Sequence, residues 1–141
     1  MTSRAITYTW SDTWLLLSIL YAAHGSESAS LTDVIAQGDA INHALFTPQE
    51  LRRGTAKLTN DGYLSVENGR FFPSEKALEM HRGIAGQRSR EQLDELREIM
   101  GAEYRAEDPK EEDSLWPYPQ LTDETISQAR AAVPKRCCQC L

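Results

Sequence analysis

The sequence predicts a mainly α protein with one small β-hairpin and a helical, acidic C-terminal extension. Three observations lead there. Apolar residues recur at helical spacing in several segments, each set off by a glycine or a capping hydroxyl residue. Asn68-Gly69 lies between two short strand-like runs, and both positions of a tight hairpin turn need positive φ, which Asn and Gly tolerate. The charge is lopsided. Residues 1–90 hold nine basic and nine acidic side chains and residues 91–141 hold six and twelve, so the net charge of −6 belongs to the second part.

Taken in order, residues 1–10, MTSRAITYTW, read as a loose arm that Tyr8 and Trp10 can dock on the body. Ser11 or Asp12 offers a cap for a first helix over residues 12–23. Trp14, Leu15, Leu17, Leu20 and Tyr21 leave it little polar surface, so it is expected to be buried. GSESAS, residues 25–30, reads as a flexible link. Ser30 caps a second helix, helped by Asp33 at the positive end of its dipole, and Leu31, Val34, Ile35, Ala36 and Ile41 form its apolar side. Gly38 costs this helix ~1 kcal/mol relative to alanine, or else permits a close approach.

Thr47-Pro48-Gln49-Glu50 joins a cap, a proline at the first helical position and a glutamate three residues past the cap, so a helix is expected from Pro48 to about Asp61. Leu51, Thr55 and Leu58 share one side of it. Gln49, Arg52, Arg53, Ala56 and Asn60 share the other, with Lys57 at the boundary. Gly62 stops this helix. The hairpin follows, with Leu64 and Val66 on one face, and Pro73 ends it. Ser74 caps a helix from about Glu75, which Gly83 and Gly86 break. Ser89 or Arg90 restarts one to about Met100, apolar at Leu93, Leu96, Ile99 and Met100 and acidic opposite. Residues 101–113 read as a charged linker, LWPYPQ (115–120) as an extended segment suited to a groove, and Thr122 as the cap of a last short helix ahead of PKRCCQCL.

Several classes of function are excluded by what the chain lacks. WLLLSILYAA, residues 14–23, is about half the ~20 residues a membrane helix needs. The segment ahead of it carries Asp12 and only Arg4 as positive charge, unlike a signal peptide. A cytoplasmic protein without membrane contact is expected. Cys137, Cys138 and Cys140 lie at the C-terminal end, where they cannot staple the body and fall short of the four ligands of a closed zinc site. CQCL ends in leucine as a prenylation box can, but Gln139 and Cys140 replace the aliphatic pair. His24, His43 and His81 show no ligand spacing, and no nucleophile elbow, phosphate-binding glycine loop or His-Glu metal motif occurs. No catalytic residue, cofactor or metal is expected.

The run FTPQELRRGTAKLTNDGYLSVENGRFFPSEKALEM, residues 46–80, passes from a capped helix through one glycine into a short wing and on to another helix. With the two helices before it, this resembles the winged helix-turn-helix domain of bacterial transcription regulators over roughly residues 11–80. The resemblance implies a winged-helix domain at 1–82 and an acidic helical extension, linker and tail at 83–141. It also implies a recognition helix at residues 48–61, whose Gln49, Arg52, Arg53 and Asn60 would meet base edges and phosphates. Lys57 would meet a phosphate, and Arg70 would be the wing residue.

Two functions are open. The first is a DNA-binding transcription regulator acting as a homodimer on double-stranded DNA, for which residues 48–90 offer eight basic against five acidic groups. The second is a non-catalytic protein-interaction module of the same fold, using LWPYP or the acidic helix, in which the arginines are a solvated helix face.

Overall fold

Helix α1 (Trp10–Ala22) is buried without interruption from Ser11 to Leu20, and most of the other elements pack against it. The computed structural model describes residues 7–84, 86–104 and 118–133. Among these residues β1 (Ala29–Ser30), α2 (Leu31–Asn42), α3 (Pro48–Asn60), β2 (Leu64–Glu67), β3 (Arg70–Pro73), α4 (Glu75–Ile84), α5 (Ser89–Met100) and α6 (Asp123–Ala132) follow α1. The chain is thus mainly helical with a small antiparallel sheet in the order β1-β3-β2.

The first helix begins earlier than its sequence suggests. Thr9 is its cap, extended at φ −109°, and Asp12 reaches back so that Oδ2 accepts from the Thr9 N–H at 2.8 Å. Asp12 therefore supports the cap from inside the helix and does not form it. Residues 1–6 of the expected arm lie outside the described residues, and Tyr8 docks on the body as expected. It is buried, and its carbonyl accepts from the Glu103 N–H at 2.9 Å, drawing the chain beyond α5 alongside it.

The expected flexible link at 25–30 ends in a strand. Ala29 pairs with Phe71 and Ser30 with Arg70, antiparallel. A strand this short shows no alternation, so nothing in its own sequence announces it. Ser30 is also the cap of α2, its hydroxyl accepting from the Asp33 N–H at 3.1 Å.

Gly38 is a point of close approach. Its carbonyl accepts from Trp14 Nε1 at 3.0 Å, and a Cβ there would overlap the ring of Phe46, which is itself stacked on Trp14 at 3.8 Å between centroids. Three elements meet on that backbone position: α1, α2 and the connection into α3.

The capped helix and the hairpin lie where the sequence places them. Thr47 and Glu50 exchange bonds of 2.8 and 3.1 Å at the head of α3. The tip is Asn68 at φ 51° and Gly69 at φ 74°, with Glu67 opposite Arg70.

Beyond residue 82 the chain continues into the same core. Leu93 and Leu96 of α5 lie under α1, and Leu121, Ile126 and Ala129 close the α2 side, all in one cluster with Trp14, Leu51 and Phe71. Gln92 ties α5 to α1 and α4, its Oε1 accepting from the Tyr21 hydroxyl at 2.7 Å and lying 3.2 Å from His81 Nε2. Ile99, expected on the apolar side of α5, is 51% exposed because the buried stripe runs through Leu93, Leu96 and Met100. Residues 105–117, which include most of the charged linker and Leu115-Trp116-Pro117, and the C-terminal cysteines lie outside the described residues.

Two tests follow from this packing. Gly38→Ala adds ~1 kcal/mol of helix propensity but must displace a fully buried ring, and overpacking of that kind costs about 1–3 kcal/mol. Urea melts are expected to show a net loss of stability, and an unchanged midpoint would mean that the Phe46 ring can move aside. The second concerns Tyr8, whose hydroxyl donates to Asp61 Oδ2 at 2.8 Å. Burial, and then this bond to a carboxylate, raise its pKa well above the ordinary 10.0. Below pH 10 the proton is bound in both folded and unfolded states. Above it the unfolded state loses the proton first, so stability falls as pH rises past 10. Tyr8→Phe is expected to lower stability at pH 7 by about 1 kcal/mol and to flatten its decline above pH 10. An equally steep alkaline decline would show that Tyr8 does not contribute to it.

Candidate functional site

The residues that sequence reasoning sets out for DNA lie on α3 and beside the hairpin tip, and their positions differ sharply. Lys57 and Arg53 are interior, 3% and 4% exposed. Lys57 Nζ lies 2.7 Å from Asp12 Oδ2, in an ion pair whose side chains are almost wholly removed from water. The expected polar face of α3 is therefore not a solvent face. Arg53 and Ala56 of that face, and Lys57 at its boundary, are buried.

The physical reason lies in α1. Asp12 sits in a helix that is otherwise apolar or hydroxylic, and burying a carboxylate requires a partner cation and further donors. Lys57 supplies the cation and the Thr9 N–H supplies a donor, both to Oδ2. Gly54 makes the approach possible, since a Cβ there would lie 2.7 Å from Leu15 Cδ2 and 3.2 Å from Asp12 Oδ1. The sequence did hold a signal for this arrangement: one carboxylate at the head of an apolar helix, and a glycine in the middle of a basic one.

Arg52 is held on another side. Its Nη1 donates to Asp123 Oδ1 at 2.6 Å and lies 3.4 Å from the Leu121 carbonyl, which anchors the start of α6 against α3. Gln49 is half-buried and Asn60 is exposed. Arg70 is exposed, but its guanidinium turns toward β1, Nε donating to Ser28 Oγ at 2.7 Å and Nη2 to the Ser28 carbonyl at 3.3 Å. Of the six residues, Asn60 and Arg70 reach the surface fully, and they stand on separate elements.

A second feature has no announcement in the sequence. The inner face of the hairpin, α2 and the start of α6 enclose a cleft of about 220 Å³. Leu31, Val66, Phe71 and Leu121 form its apolar part, and Asn68, Gln120 and Thr125 bring polar groups to it. The Leu64/Val66 alternation marks the face, but nothing in the sequence says that Leu121 and Thr125 arrive opposite it.

A third surface is the outer side of α5, where Glu91, Asp94, Glu95 and Glu98 are exposed. Tyr104 just beyond it is 70% exposed, with the Arg97 guanidinium 5.3 Å from its ring centroid. Among the described residues no group of three or more His, Cys, Asp or Glu side chains converges as a metal site, and no helix is long and apolar enough to cross a membrane. No family model, curated protein or solved structure matches the chain.

The buried pair yields a test. Lys57→Met strands the Asp12 carboxylate in the interior, and breaking such a pair costs about 3–5 kcal/mol. Adding Asp12→Asn to Lys57→Met is expected to return part of that loss, giving a double-mutant cycle with strong coupling. Additive single losses would show that the two charges do not sustain one another.

Proposed function

We propose that this protein is a non-catalytic protein-interaction module built on a winged-helix-like frame. The order α1, β1, α2, α3, β2, β3 supports the frame. The observation that carries the functional reading is the burial of Lys57 and Arg53 on α3. A helix that reads a duplex turns its cations to phosphates and base edges. Here one of them neutralises Asp12 inside the fold, and Arg52 is engaged with Asp123. Withdrawing either from its carboxylate to meet a phosphate would exchange one ion pair for another, so duplex binding gains little from them. The exposed carboxylates of α5 would add repulsion.

Titration of labelled random duplex DNA at about 50 and about 200 mM salt tests this reading. No saturable, salt-dependent signal is expected at micromolar protein, and Arg52→Ala is expected to change nothing. Binding that weakens steeply with salt and is lost in Arg52→Ala would instead support a DNA-binding regulator.

A further inference from the structure

The cleft under the hairpin has walls that are held in place. On the hairpin side, Arg70 Nε donates to Ser28 Oγ at 2.7 Å and ties β3 to the chain entering β1. On the other side, Arg52 Nη1 donates to Asp123 Oδ1 at 2.6 Å and fixes the start of α6. Leu31 follows directly on Ser30, the capping residue of α2. The floor is apolar. Leu31, Phe71 and Leu121 are buried core residues, and Val66 and Tyr118 beside them are half-buried. Val66 and Phe71 pair across the hairpin and so share this face.

Size, charge and rim chemistry narrow the occupant. Drug-sized sites run to about 300–1,000 Å³, and a cavity of about 150 Å³ takes benzene. At about 220 Å³ the cleft suits one fused two-ring system. The only titratable group in the lining is the phenol of Tyr118, which burial keeps protonated above its ordinary range. A charged ligand would lose its hydration there with no counter-charge in the lining, so the fitting ligand is neutral. At the rim, Asn68 of the hairpin tip and Gln120 ahead of α6 bring two exposed side-chain amides, neither engaged with another described residue. Each amide offers a donor and an acceptor side by side. A carboxamide, or the amide-like edge of a heteroaromatic ring, offers the complementary pair.

We propose that the cleft binds a small neutral aromatic ligand: one fused two-ring system with a carboxamide-type edge. Its ring lies on the apolar floor and its edge meets Asn68 and Gln120. Bound there, the ligand joins the hairpin to α6 and stabilises the folded chain. This site goes beyond the interaction-module reading and does not depend on it.

The test titrates indole-3-carboxamide into the isotope-labelled full chain, with indole-3-carboxylate and indole as probes of matched shape. The carboxamide is expected to saturate at about millimolar concentration or below and to shift the amides of Val66, Gly69, Gln120 and Thr125. The carboxylate is expected to bind roughly tenfold more weakly or worse, because its charge must be desolvated. Indole, lacking the edge, is expected to bind about two- to tenfold more weakly. Asn68→Gly keeps the positive φ of the turn while removing its amide, and Gln120→Ala removes the other from an exposed position. Each is expected to weaken the carboxamide by about two- to tenfold and to leave indole unchanged. Val66→Trp fills the cleft and is expected to abolish binding of all three probes.

No saturation by about ten millimolar carboxamide would overturn the proposal. So would a carboxylate that binds as tightly as the carboxamide, or a carboxamide-to-indole ratio untouched by both Asn68→Gly and Gln120→Ala. Shifts of the same amides on concentrating the protein alone would overturn it in favour of a second copy as the occupant. Carboxamide binding confined to Trp116→Ala protein would overturn it in favour of the chain's own Trp116. The two surface variants keep the test decisive if Val66→Trp does not fold. The DNA titration bears on the interaction-module reading alone, so either reading can fail without the other.

Discussion

Asp12 is the group that the rest of the structure must satisfy. Its side chain has no exposed area, and it stands near the start of the most deeply buried helix. A buried carboxylate with no cation would cost several kcal/mol. The fold meets that demand by turning the basic side of α3 inward, with Gly54 at the crossing so that the two backbones come close. Once Lys57 is committed there, α3 is lined on both sides: by Leu51 and Leu58 against the apolar core and by Lys57 against Asp12. Arg52, at the helix's remaining side, is then close enough to the C-terminal segment to hold α6 in place.

Most of the framework could be read from the sequence, because its signals are local. Thr47 with Glu50 fixes the head of α3, Asn68-Gly69 fixes the turn, and Ser30 and Thr122 fix the heads of α2 and α6. Each is a bond or a backbone angle between near neighbours, so a short window of sequence contains it. The two-residue β1 is not legible in sequence, because a strand that short takes its identity from its partner, Phe71-bearing β3, far along the chain. The start of α1 is hidden for a related reason. Asp12 looks like a cap from sequence, and only the bond to Thr9 shows it acting from the third helical position.

The candidate site was less legible than the frame. Amphipathic spacing shows which residues share a helix side, but it does not show what faces that side. The assignment of Arg53 and Lys57 to a solvent face assumed that polar meant exposed, and a buried counter-charge on another helix defeats that assumption. The cleft beneath the hairpin was harder still. Val66 and Phe71 come from one hairpin, but Leu31, Leu121 and Thr125 arrive from segments on either side of it in sequence, and only tertiary packing brings them together. Acidity, by contrast, was read correctly in outline, since Glu91, Asp94, Glu95 and Glu98 are exposed on α5.

The short strand β1 also orders events in time. The Asn68-Gly69 hairpin closes between immediate neighbours, so β2 and β3 can zip early and on their own. The third strand cannot join them so cheaply. Ala29 must find Phe71 across the whole of α2 and α3, and the entropy of closing that loop is recovered only when both helices are already docked on α1. Since Ser30 ends the strand and caps α2 in one residue, completion of the sheet and fixing of α2's first turn depend on the same position.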